Sequence, residues 1–377
     1  MFTGLLLITG ALCLYSYFLY PLLLLFLRLF RRQEFRRGDF EPRISIIIAA
    51  YNEEGKILGK LENTLAVDYP REKLELIVAS DASSDGTDGI VRNHPGGFIL
   101  SRVESRKGKE YAQKMAIQKA TGDVLVFTDA GTTLKQDSIR RLAGNFFDER
   151  VGAVSSTDKM VSENDTVVGE GLYVVFEMGL RRLEYQVNSL VGLSGSFFAA
   201  RKEVCRNWSE DLQSDFNTVL NSVKQGYKAI ADDEVIGYYK NISKGQSEFK
   251  RKVRTMVRGM TVFFRATEML NVFKYGLFSW QLLSHKFMRW ATPFFLLAFL
   301  AVSVAGAVVG HGLSQIALAL QGAFYGISLL GFAVPALQGM ALFKIPFFFV
   351  EMNVAVMAAW IKYLRGERIK VWEPSRR

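Results

Sequence analysis

Hydrophobic positions divide this chain into zones. Residues 4–27 carry no charge, and about 20 apolar residues suffice to cross a bilayer, so a transmembrane helix is predicted over 1–28. Residues 40–265 mix short apolar runs with polar-faced stretches. Beyond them apolar density returns in three blocks, Trp290–Val309, Ile316–Leu337 and Ile345–Tyr363, each near the length of a span. Between these zones, Met269–Arg289 sets Lys274, His285, Lys286 and Arg289 among Phe, Tyr, Trp and Leu, the pattern of an amphipathic helix lying in the membrane interface. The predicted division is a membrane helix over 1–28, a soluble domain over 40–265, an interfacial helix over 266–289, membrane segments over 290–363 and a basic tail over 364–377.

Within the soluble part the pattern alternates. Arg43–Ala50 is a β-branched run continuous enough for a strand buried on both faces, and Glu53–Leu65 follows as a helix with one charged side. Leu74–Ser80 is the next strand, then a polar turn and a helix toward His94. A short strand near Phe98–Ser101, a helix over Lys109–Ala120 and a strand over Val124–Phe127 complete the series. Strands alternating with helices at this spacing predict an α/β domain with a mainly parallel sheet, joined to α-helical transmembrane segments.

Charge orients the zones. Arg28, Arg31, Arg32, Arg36 and Arg37 crowd the C-terminal flank of the first apolar run, and positive flanks stay in the cytoplasm, so the soluble domain is expected there. A cleaved leader would want basic residues before the run and a small-residue cleavage site after it, and neither is present. Three further full spans would then leave the basic tail outside, against the same rule. The block opened by Lys344 and Pro346 is the expected exception, re-entrant or interfacial. The net charge of +10 suits anionic membrane lipids and an anionic substrate, and no nucleic-acid module is visible. Cys13 and Cys205 are poorly placed to pair, which fits a reducing compartment.

Candidate chemistry begins with Asp129, where the Val124–Phe127 strand gives out. A carboxylate at the C-terminal end of a strand in an open α/β sheet lies on the ligand-binding edge and suits a divalent cation carrying phosphates. No Gly-x-Gly-x-x-Gly follows the first strand, and Gly55–Lys60 falls short of a phosphate-binding P-loop. Gly192-Leu-Ser-Gly195 lacks the spacing of a nucleophile elbow.

Six segments carry a resemblance: Ser45–Glu54, Val78–Thr87, Gly108-Lys109, Gly122-Asp123 through Gly131, Gly192–Arg201 and Ser214–Thr218. In this order they resemble the motif set of family-2 inverting glycosyltransferases, the group of the hyaluronan, chitin and cellulose synthases, over about residues 43–260. The resemblance implies a nucleotide-diphospho-sugar transferase domain of GT-A type. It places Ala50, Asn52, Glu53, Asp81 and Lys109 at the nucleotide, and Asp129 at the diphosphate with a divalent metal, Mg or Mn. Asp215 would be the catalytic base, with Arg254 beside the diphosphate and Ser194, Gly195 and Ser196 on the acceptor face. Two departures stand out. Gly131 replaces the usual second metal carboxylate, and Arg251 and Thr255 replace the Gln and Trp of the processive synthases' Gln-x-x-Arg-Trp. The expected activity is transfer from a nucleotide-diphospho-sugar to a lipid-linked or glycan acceptor in envelope or exopolysaccharide assembly, at the inner membrane and alongside polysaccharide-assembly proteins. The alternatives are a processive polysaccharide synthase and a non-catalytic membrane subunit that binds nucleotide or glycan. Asp232-Asp233-Glu234, the rival source of a base, is expected as a solvated loop.

Overall fold

The computed structural model describes residues 1–161, 172–240 and 245–369; the tail expected over 364–377 lies outside them from residue 370 onward. Eight strands form one sheet: β1 (Ile44–Ala50), β2 (Leu74–Ser80), β3 (Ile99–Arg102), β4 (Val124–Asp129), β5 (Thr132–Leu134), β6 (Val151–Val161), β7 (Phe197–Arg201) and β8 (Lys228–Lys240). Their order is β3-β2-β1-β4-β7-β6-β8-β5. The half from β3 to β4 is parallel, with Ile47 of β1 opposite Ile77 and Phe127, and its crossovers are helical as parallel pairing demands. In the other half β7 runs antiparallel to both β4 and β6, and β5 antiparallel to β8. There β6 and β8 also pair in parallel, so the sheet is mixed, with a wholly parallel half, read from sequence, beside a half of both kinds.

Strand β1 shows why this half was legible. All seven residues are buried, and successive side chains alternate faces. Ile44, Ile46 and Ile48 pack in one core with Ile57 and Leu61 of the Glu54–Leu65 helix. Ile47 faces the other core with Ala112 and Ala116 of the Lys109–Lys119 helix. That second core continues without interruption through Val253, Val257 and Met260 of the Gly245–Arg265 helix to Trp290, Ala355 and Ala359 of the apolar helices. One hydrophobic body thus joins the sheet domain to the C-terminal helices.

Four helices are long and apolar enough to cross a membrane: Phe2–Phe30, Leu277–Val308, Gly312–Ala333 and Ala341–Leu364. They leave Leu7, Leu297, Leu329 and Phe332 more than half exposed, a contiguous apolar surface that water would not tolerate. The stretch expected as one interfacial helix over 266–289 is different. Asn271 caps a single turn, Gly276 at φ 56° breaks it, and a helix restarting at Leu277 runs on through a π-helical turn, Leu283–Phe287, into Met288–Val308. Left-handed backbone at Gly276 is what no continuous helix accepts.

The helices have a clear polarity. Thr3 Oγ1 lies 3.1 Å from His311 Nε2 at the end remote from the sheet. Near the sheet, Trp280 Nε1–H donates to Tyr15 Oη at 3.0 Å. The Ala341–Leu364 helix keeps to this near side along its length. Phe347 and Phe349 meet Phe332 and Phe324, Glu351 pairs with Lys252 at 3.0 Å, and Trp360 Nε1–H donates to Trp290 O at 2.8 Å.

Candidate active site

Much of the site comes from places where strands stop. After β1 the chain turns through Tyr51, Asn52 and the buried Glu53; after β2 it turns through Asp81 and Ala82. Asn52 and Ala82 both have positive φ, 51° and 58°. Such conformations persist only where surroundings enforce them. Here the two loops bond each other, Asn52 N–H donating to Ser83 Oγ at 3.1 Å and Ser84 N–H donating to Asn52 Oδ1 at 2.8 Å. Asp85 belongs to this scaffold, its carboxylate accepting from Thr87 N–H at 3.0 Å and Glu54 N–H at 3.1 Å.

Asp81 is 3% exposed. Burial pushes its carboxyl above the ordinary value, against the pull of the backbone N–H groups of Lys107 and Gly108, which donate to it at 2.8 and 2.9 Å. These bonds draw the start of the Lys109–Lys119 helix to the sheet edge, with Gly108 at φ 106° making the bend. Ala49, Ala50, Tyr51, Ala79, Asp81, Lys109 and Ala112 then line one cleft. The Arg106 guanidinium covers the Tyr51 ring at 3.9 Å, giving the cleft an aromatic and cationic wall that motif reading did not include.

Lys109 ties this cleft to the rest of the site. Its Nζ donates to Asp129 Oδ1 at 2.5 Å and to Gly195 O at 3.0 Å, while Asp129 N–H donates to Ser196 O at 3.0 Å. Behind Asp129 stands Lys60, which the sequence did not single out because it reads as one charge on an amphipathic helix. It is 3% exposed and donates to Thr128 Oγ1 and Thr132 O at 3.0 and 2.5 Å. Burial lowers its pKa to about 7, opposed by the charge of Asp129.

The Ser194–Ser196 segment is held from below by a second unanticipated residue, Asp158 of β6. Ser194 Oγ and Ser196 Oγ donate to Asp158 Oδ2 at 2.5 and 2.8 Å, and Ser156 Oγ donates to Oδ1 at 2.8 Å. A carboxylate inside a strand has no spacing signature.

Asp215 sits in the first turn of the Ser214–Lys224 helix. A Cβ on Gly195 would lie 3.5 Å from Asp215 Oδ2, which places this loop beside the carboxylate. Burial raises the Asp215 pKa; Arg258, Lys109 and Lys286 pull it down and Glu110 adds to the rise. Arg254 lies on the Gly245–Arg265 helix one turn before Arg258, on the same face. Arg258, which pairs with Glu110, is the arginine whose charge reaches Asp215.

The rival acidic run is not a solvated loop. Asp232, Asp233 and Glu234 belong to β8 beside a register shift. Asp232 and Glu234 meet Arg37 and Asp233 meets Arg182. These carboxylates anchor the basic linker and the Leu172–Val187 helix rather than the site.

The donor set bears on a metal. Among the described residues no group of three His, Cys, Asp or Glu could hold one. Asp129 offers a single carboxylate, and one of its oxygens is on Lys109. That set fits a hydrated magnesium or manganese ion carried chiefly by a diphosphate, since such ions keep several waters and take one or two carboxylates.

With the geometry in place, the comparisons are consistent. Residues 45–208 match the family model described as glycosyl transferase family 2. A probable glycosyltransferase YdaM of Bacillus subtilis (strain 168) is 26% identical over 200 residues, 49% of this chain and 48% of that protein. A poly-beta-1,6-N-acetyl-D-glucosamine synthase of Staphylococcus aureus (strain MSSA476) is 31% identical over 130 residues, 34% of this chain and 31% of that one. The chain thus spans about half, or less, of the length of these relatives. The mannosyltransferase PcManGT from Pyrobaculum calidifontis, solved with GDP-Man and Mn2+, superposes with a TM-score of 0.76 at 24% identity, covering 97% of this chain and 100% of that one. Residues 45–208 thus resemble a glycosyl transferase family 2 domain, and the chain has a GT-A-like fold joined to four helices long and apolar enough to cross a membrane.

Proposed function

We propose that this is a membrane-anchored inverting glycosyltransferase that moves a sugar from a nucleotide-diphospho-sugar to a lipid-linked or glycan acceptor delivered at the membrane surface. The observation that carries the reading is the convergence of Asp129, Gly195 and Asp215 around Lys109. The nucleoside would occupy the cleft beside Tyr51 and Asp81. Lys109 and Asp129 would meet the diphosphate, and a divalent ion there would neutralise developing charge on the leaving group. Arg254 and Arg258 add positive charge on the same side. Asp215 takes the proton from the acceptor hydroxyl, whose oxygen forms a bond to the anomeric carbon as the carbon–oxygen bond to the diphosphate breaks. The nucleoside diphosphate leaves from the opposite face, which inverts the configuration. The neighbour solved with GDP-Man and Mn2+ supports both the donor class and the ion. Envelope or exopolysaccharide assembly, with its partner proteins, is the setting that suits such an enzyme.

The sheet domain faces the cytosol in this reading, at the inner membrane of a cell that supplies nucleotide sugars there. The Ala341–Leu364 helix then lies along that interface instead of crossing. Its support is that the helix packs on the sheet domain, Glu351 on Lys252, and reaches Trp290 at the start of an apolar helix with Trp360, and the outcome puts the basic C-terminus inside, as positive flanks prefer.

The test is release of free nucleotide from a panel of nucleotide sugars by the purified protein. Turnover of one donor supports the enzyme, and no hydrolysis or transfer with any donor would favour a non-catalytic subunit.

A further inference from the structure

A lysine that no motif accounts for reaches the acceptor side of the site from the helix entering the membrane. Lys286 lies in the π-helical turn Leu283–Phe287, a distortion of the kind that re-aims side chains at functional positions. Its ammonium lies over the Phe216 ring, 4.9 Å from the centroid, and a Cβ on Gly192 would stand 3.2 Å from its Nζ. Phe216 follows Asp215 and Gly192 opens the Ser194–Ser196 loop, so the charge lies between the candidate base and the acceptor face.

The carboxylates whose charge reaches Lys286 are Glu177, Glu184 and Asp215, and each bonds a group other than Lys286. Glu177 pairs with Arg289 at 2.8 Å and His285 at 3.3 Å, while Glu184 takes His285 at 2.6 Å and the Tyr20 hydroxyl at 2.7 Å. Among the described residues, neither a hydrogen bond nor an ion pair ends on Lys286. A part-buried cation left in this way is poised for an anion supplied from outside the chain. Depth adds to the argument. Trp290–Val309 is uncharged and about the length of a bilayer core, so Lys286, one turn earlier, stands at the level of lipid phosphates.

We infer that Lys286 binds a phosphate on the acceptor, and that the acceptor is a lipid-linked sugar phosphate whose sugar hydroxyl points at Asp215. This deepens the proposed reading and rests on it. Lys286 grips the phosphate at head-group depth, the lipid tail stays in the membrane, and the sugar enters between Gly192 and Asp215. Selection is for a charged, lipid-anchored acceptor over a neutral glycolipid.

Three acceptors carrying the same sugar test this: a farnesyl-diphosphate-linked form, the dodecyl glycoside and the free sugar 1-phosphate. Full-length protein in detergent is assayed with the donor that it turns over. Lys286→Met should raise KM for the farnesyl-linked acceptor about tenfold or more, the scale of a lost charge-assisted hydrogen bond, without raising donor KM, and Lys286→Arg should restore most of it. The dodecyl glycoside should be a poor acceptor whose KM does not move. The free sugar phosphate should respond to Lys286→Met but bind more weakly than the farnesyl form. Equal loss with charged and neutral acceptors, no loss with either, or loss of donor affinity overturns the inference, as does a free sugar phosphate that matches the lipid form. If unmodified protein consumes no donor with any acceptor, the glycosyltransferase reading itself has failed.

Discussion

Asp215 and Lys60 are both charged groups pressed into the domain, and burial moves their pKa values in opposite directions. For Asp215 the shift is upward, and only the ionised carboxylate can accept the acceptor proton. Turnover should therefore fall as pH drops through a value above the ordinary carboxylate range of about 4. Arg258 is the largest single charge holding that value down, so Arg258→Met should move the acid limb of the kcat profile to still higher pH. An unmoved limb would show that another group controls it. Of the candidate site's residues, Asp129 was read from its place at a strand end, and Lys109 and Asp215 only through the motif resemblance. Lys60, Asp158, Arg106 and Arg258 were not legible, because each is brought beside the candidate site by a neighbour distant in sequence: Lys60 by Asp129, Asp158 by Ser194 and Ser196, Arg106 by Tyr51, Arg258 by Glu110.

At the scale of elements, β1 and β4 depend on Gly122. A Cβ there would lie 2.5 Å from the backbone nitrogen of Ser45, and backbone atoms in a paired strand have nowhere to go. Gly122→Ala should destabilise the domain by about 1–3 kcal/mol, seen as a lowered Tm with the detergent held fixed; an unchanged Tm would mean that the strand ends separate freely. Strands β1, β2 and β4 were readable because burial on both faces leaves continuous apolar runs, while the edge strand β3, mostly unburied, was read from its place in the alternation. Strands β6 and β8 were not, since Ser155, Ser156 and Asp158 in one and Asp232–Glu234 in the other are polar residues satisfied by partners on other elements. The apolar helices illustrate a different limit. Composition alone makes Ala341–Leu364 a candidate span, yet it packs on the sheet domain's Gly245–Arg265 helix, Glu351 on Lys252, as well as on Gly312–Ala333. A cysteine placed at Glu367, like one at Asp39, should resist membrane-impermeant reagents in intact cells. Labelling of position 367 alone would make the last helix a full span, and labelling of position 39 would reverse the whole orientation.

At the scale of the whole molecule, one of the chain's cores runs without a break from the sheet to the apolar helices, which in the proposed reading joins acceptor delivery to chemistry. Thr255 is exposed where processive synthases place a stacking Trp, and the product is expected to be a single addition or a very short chain; long polymer made by this protein alone would reverse that. In the proposed mechanism Asp215 and Asp129 have different jobs, and paired substitutions separate them. Donor and metal are titrated for Asp215→Asn and Asp129→Asn, reading donor affinity and turnover separately. Asp215→Asn should keep donor binding while turnover falls ~10² or more, and Asp129→Asn should weaken both, with partial rescue by raised magnesium or manganese. Near-normal turnover in Asp215→Asn, or the same loss of donor affinity in both variants, would contradict the account.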